Sequence, residues 1–130
     1  MQVPILKQGE FLIASIQSAL TDTDLLQLRD NLVQRAGDWR ARGVIIDVTV
    51  LDVMDSFACR TLRALAQMLK LRGAETVIVG VQPDVAFAMV QLGLSLEGVM
   101  TALDLEDGMA LLQRQTQRGG HHARSNAGTY

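Results

Sequence analysis

Two periods of apolar residues divide the chain. Val3 to Lys7 alternates apolar and polar positions, Glu10 to Ile16 is nearly all apolar, and Gln8-Gly9 between them reads as a turn, so the chain opens with a β-hairpin. The period then changes. Leu25, Leu28, Leu32 and Ala36 recur at helical spacing behind Thr21-Asp22-Thr23-Asp24, a stretch rich in N-cap chemistry, and Gly37 is placed to close that helix. Gly43 to Val48 is a short β-branched run, the pattern of a strand covered on both faces. Ala58, Leu62, Leu65, Ala66 and Leu69 predict a second helix, beginning at Ser56 and closed by Gly73. Thr76 to Val81 predicts another strand. Pro83 opens a third helix that Gly93 ends, Val99 to Ala102 predicts a short strand, and Asp104 to Gln117 forms the last helix, with Leu105, Met109 and Leu112 on one side.

The resulting order is ββαβαβαβα. Its later part is a series of strand-helix-strand units, each requiring a right-handed crossover, which predicts an α/β fold: a mixed, mostly parallel β-sheet with helices packed on it. At 130 residues the chain has room for one such domain. It is assigned to residues 1–117. Residues 118–130 turn glycine-rich and polar with no apolar period, and are expected to form a flexible tail. The longest apolar runs are strand-length, far short of the roughly 20 residues a membrane span needs, and no export signal is legible, so a cytoplasmic protein without membrane contact is expected.

Composition narrows the chemistry. Cys59 is the only cysteine, which rules out an intrachain disulfide and a cysteine-built zinc site. The net charge is −2 with both tail arginines counted, and aromatic residues make up only 4%, leaving neither the basic surface nor the stacking platform that nucleic-acid binding uses. His121 and His122, the only histidines, lie in the tail, so no Ser-His-Asp or Cys-His set can be built from the folded part. Neither phosphate-cradling glycine motif occurs. No catalytic residue, metal site or cofactor is assigned, and the protein is expected not to be an enzyme.

The richest stretch runs Asp47-Val-Thr-Val-Leu-Asp52-Val-Met-Asp55-Ser56-Phe57-Ala58, from a buried strand through a loop into a helix, where open parallel sheets place their sites. Ser56 is placed at the N-cap of that helix. Capping alone is one reading of it. The other is modification: a phosphate there meets free backbone N–H groups and the positive end of the helix dipole while adding about −1.5 to −2 charge to a surface already carrying Asp52 and Asp55. Asp47 is read as a hydrogen-bond acceptor ordering the loop, and Asp52 as a turn residue in the same role. A receiver-like phosphoacceptor site would need further acids after the first strand and a late lysine, which this sequence lacks.

With these residues in hand, the chain resembles STAS domains, the fold of bacterial anti-sigma factor antagonists. Val3-Pro-Ile-Leu-Lys7, Ser15-Ile-Gln17, Val44-Ile-Ile-Asp-Val48, Asp55-Ser-Phe57, Gly80-Val-Gln-Pro83 and Thr101-Ala-Leu-Asp-Leu-Glu106 are similar to the RsbS branch, the small STAS subunit of the stressosome. The resemblance implies that Ser56 is phosphorylated by an RsbT-type switch serine kinase, which the unmodified protein sequesters and the modified one releases to regulate a stress response. It implies a partner surface of Asp55, Ser56, Phe57 and Arg60. It further implies assembly with copies of itself, at least as a dimer, and with RsbR-type STAS paralogues, and a phosphatase that resets the switch. Direct antagonists of anti-sigma factors usually read Asp-Ser-Ser-Gly where this chain has Asp55-Ser56-Phe57-Ala58. That role, and the sensing of a small ligand or guanine nucleotide, are the alternatives.

Overall fold

The computed structural model describes the backbone of residues 2–129 and the side-chain surroundings of residues 2–117. The tail expected from Arg118 lies outside the residues whose surroundings are described. The elements are β1 (Ile5–Gln8), β2 (Phe11–Ser15), α1 (Asp22–Asp38), β3 (Gly43–Asp47), α2 (Ser56–Leu71), β4 (Glu75–Val79), α3 (Pro83–Gln91), β5 (Met100–Ala102) and α4 (Leu105–Thr129). This is the expected ββαβαβαβα order. The five strands lie side by side in sequence order, β1 antiparallel to β2 and every later pair parallel.

Strands β2, β3 and β4 are buried along almost their whole length, as strands covered on both faces must be. Alternate side chains divide the core into two layers. Leu12, Ala14, Val44, Ile46 and Ile78 pack under α1, α2 and α3, joined by Leu28, Leu32, Leu62, Leu65 and Leu69. On the opposite face Ile13, Ile45, Val77 and Val79 meet α4 through Leu112. Two glycines permit that close approach: a Cβ on Gly108 would come within 2.6 Å of a Val79 methyl, and one on Gly43 within 2.9 Å of a Leu112 methyl. Both layers converge on the central strands, which fixes where each strand ends and each following loop begins.

The helix stripes read from the sequence are the buried faces. Leu25, Leu28, Leu32 and Ala36 of α1 are buried, and Thr21 caps that helix in a reciprocal capping box with Asp24. Its end differs from expectation. α1 continues through Gly37 to Asp38, the Arg72 guanidinium lies where a Gly37 side chain would project, and the left-handed residue after the helix is Arg40, with φ of 50°. Gly73 (φ 88°) and Gly93 (φ 69°) do follow α2 and α3, where glycine meets no steric penalty in that region.

Candidate functional site

All four helices follow strands that run the same way, so their N-termini gather at one end of the sheet, beyond the carboxyl ends of β2 to β5. The loop from β3 to α2 is the most elaborate of these connections. Asp47, the last residue of β3, accepts hydrogen bonds through Oδ1 from the Thr49 N–H (2.9 Å) and the Thr49 hydroxyl (2.6 Å). The Val48 N–H donates to the Val79 carbonyl, and the Leu51 N–H turns back to the Val48 carbonyl. Leu51 and Met54 are then buried as anchors, leaving Val50, Asp52 and Val53 exposed at the tip. The loop is thus fastened at its ends and open in its middle.

A second tie comes from across the sheet. The Gln82 side-chain amide donates to the Thr49 carbonyl at 2.6 Å. Gly80, with φ of 83°, makes the approach possible, because a Cβ there would overlap the Thr49 hydroxyl and lie 3.2 Å from Asp47 Oδ1. Thr49, Gly80 and Gln82 were not assigned roles from the sequence. Gln82 and Thr49 are 33 residues apart, and only the pairing of Asp47 with Val79 brings their loops together. Asp52, assigned a loop-ordering role alongside Asp47, accepts no hydrogen bond among the described residues and sits exposed, so of the two aspartates only Asp47 ties the loop.

α2 begins at Ser56 as the sequence predicts, but its cap lies one residue earlier than the sequence reading placed it. Asp55, in extended backbone (φ −82°, ψ −179°), is the N-cap: its Oδ1 accepts from the Ala58 N–H at 2.8 Å, and its carbonyl accepts from the Cys59 N–H. Ser56 is therefore the first helical residue, not the cap, and it is exposed. Both residue types favour capping, and the extended conformation at 55 selects the aspartate. Phe57 is half-buried, and Arg60 lies exposed one turn on, its Nε donating to the Ser56 carbonyl at 3.3 Å. Asp55, Ser56 and Arg60 are thus exposed, and Phe57 half-exposed, within the first turn or so of the helix.

Beside this surface runs a groove of about 560 Å3 between the β2–α1 and β3–α2 loops. Leu25, Leu51 and Leu62 floor it, while Asp22, Val53 and Asp55 stand at its rim. Cys59, one turn into α2, is buried, and burial pushes its thiol pKa up, opposed in part by the Arg63 charge and helped least by Asp55. A protonated, enclosed thiol is a packing group and not a nucleophile. Among the described residues no three Asp, Glu, His or Cys side chains come together as a metal site, and no helix is long and apolar enough to cross a membrane.

Comparison with known proteins places this architecture. The family model for the STAS domain matches residues 2–107. The chain belongs to the STAS-domain family. This STAS chain is 27% identical over 92 residues to RsbRA, named an RsbT co-antagonist protein, from Bacillus subtilis (strain 168); the match takes in 71% of the chain but spans only about a third, 34%, of RsbRA. Its fold superimposes on a Ser→Glu variant of Moorella thermoacetica RsbS with a TM-score of 0.76 at 30% identity, covering 90% of this STAS chain and 99% of that one. A chain from the molecular architecture of the stressosome, described as a signal integration and transduction hub, matches with a TM-score of 0.69 at 30% identity, over 87% of this chain and 98% of that chain.

Proposed function

We propose that this STAS domain is a non-enzymatic, cytoplasmic scaffold subunit of a stressosome that holds an RsbT-type serine kinase and lets it go when Ser56 is phosphorylated. The observation that carries the reading is the division at the start of α2: Asp55 makes the cap bond, and Ser56 stands exposed at the first helical position with no capping duty. The N–H groups of Ser56 and Phe57 precede the first intrahelical bond and have no partner within the helix. A phosphate on Ser56 is met by those N–H groups, by the helix dipole and by the Arg60 side chain one turn away, so the fold accommodates it. A partner seated on the same surface is instead confronted with about −1.5 to −2 of new charge and its hydration, next to exposed Val53. That change disfavours docking without unfolding the domain.

Likeness to RsbS and to the RsbR-type co-antagonists supports the rest of the proposal: copies of this chain and larger RsbR-type paralogues are its assembly partners, and a phosphatase restores Ser56. The test is incubation with an RsbT-type kinase and ATP, followed by intact-protein and peptide mass spectrometry and a kinase pull-down. One phosphate, located on Ser56, with loss of kinase binding is the expected result. Kinase binding that Ser56→Asp and phosphorylation both leave unchanged would refute the switch.

A further inference from the structure

Helix α3 is the most apolar of the four, carrying a single charge, Asp84, in its nine residues, yet it buries only Val85 and Met89. An apolar helix normally hides most of its surface. Here Phe87, Val90 and Leu103, the last just beyond β5, are 66%, 78% and 78% exposed. A groove of about 360 Å3 between α3 and β5 continues this patch, lined by Ala86, Val90, Leu94, Thr101 and Leu103 among others, with no charged side chain in its walls. Beside it, β5 pairs with β4 alone, so its outer backbone edge is open.

From this we infer that α3 and the free edge of β5 form the surface through which two copies of this chain pair about a two-fold axis, β5 running antiparallel to β5. The occupant is argued from area and chemistry. Phe87, Val90, Leu103 and Ala86 together expose on the order of 400 Å2 of apolar surface, about half of the ~800 Å2 per partner that a standard interface buries. The β5 edge and the groove walls supply further contact. A wall without charge gives a charged partner nothing to grip, whereas a second copy brings the same apolar set and the same open strand, which is what an isologous interface requires. The strand edges gain hydrogen bonds while the two α3 helices cover each other's exposed stripe.

This deepens the self-assembly part of the proposed function and does not depend on Ser56. The test is sedimentation of the full chain, wild type and a Val90→Glu/Leu103→Glu variant, with far-UV circular dichroism to establish that the variant is folded. A concentration-dependent wild-type dimer that the variant loses by at least tenfold in affinity is expected. Independently, Thr101 is exposed at the centre of β5, and the two-fold sets it opposite its own copy with Cβ atoms about 5 Å apart. Thr101→Cys in a Cys59→Ser background should therefore oxidise to a covalent dimer, while Gln67→Cys, exposed on α2, should not. A dimer that survives the double substitution and gives no Thr101→Cys cross-link overturns this interface but leaves self-assembly standing. A wild-type chain that stays monomeric into the millimolar range, or that is covered there only by a different STAS protein, overturns both.

Discussion

Gly80→Ala tests how the β3–α2 loop is held. The added methyl has two consequences. It places a side chain at φ of 83°, costing about 1 kcal/mol, and it drives into the Thr49 hydroxyl, displacing the donor of the 2.6 Å bond to Asp47. Thr49 is exposed, so the lost charged hydrogen bond is worth the low end of its usual range, about 1 to 1.5 kcal/mol. The expected total is about 2 to 3 kcal/mol, on the order of 10 °C in Tm for a domain of this size. Thr49→Ala alone removes the hydroxyl and should cost about 1 kcal/mol. In that background the collision with the hydroxyl is gone, and Gly80→Ala should cost little beyond the backbone term, so the double variant is less destabilised than the sum by about 1 kcal/mol. Urea unfolding followed by circular dichroism measures all four proteins. An equal cost of Gly80→Ala in both backgrounds would show that Thr49 does not require the glycine.

Three further outcomes are expected. Asp55→Ala should lower stability by about 1 kcal/mol through the lost cap, whereas Ser56→Ala should change it by less than about 0.5 kcal/mol; thermal unfolding of the two compares them directly, and equal losses would contradict the assignment of the cap to Asp55. Thr76 has a buried hydroxyl with no hydrogen-bond partner among the described residues, so Thr76→Val should raise the urea midpoint, by up to about 1 kcal/mol in stability, and a loss would show that the hydroxyl is satisfied in solution. The Cys59 thiol keeps its proton in the folded protein at a pH where the unfolded chain, near the ordinary value of 9.0, has begun to lose it. Its contribution is therefore complete below pH 9 and falls as pH rises toward the native pKa, so stability should decline more steeply above pH 9 in the wild type than in Cys59→Ala, with parallel profiles as the contrary result.

The elements were legible because burial is nearly complete on both faces of the sheet. Runs such as Val44-Ile45-Ile46 have no other stable use in a chain this short, and the stripes of α1 and α2 repeat at the helical period without a break. Reading failed where two residues compete for one local role or where contact depends on the sheet register. Asp55 and Ser56 are both capping residues, and sequence does not say which backbone is extended. Gly37 reads as a helix end, yet it lies inside α1 with Arg72 of α2 against it. The Gln82–Thr49 bond needs β3 and β4 already aligned, so periodicity carries no trace of it. The exposed side of α3 was equally hidden, since an apolar helix looks the same in sequence whether its own sheet or a second molecule covers it.

Capping by Asp55 also separates two burdens that a single residue would otherwise share. If Ser56 held the helix start, every chemical event on its hydroxyl would alter the stability of the domain, and any replacement would be judged first by whether the protein still folded. With the carboxylate next door carrying that load, position 56 is relieved of the cap, and under the proposed switch a change there would act on a partner's affinity more than on the fold.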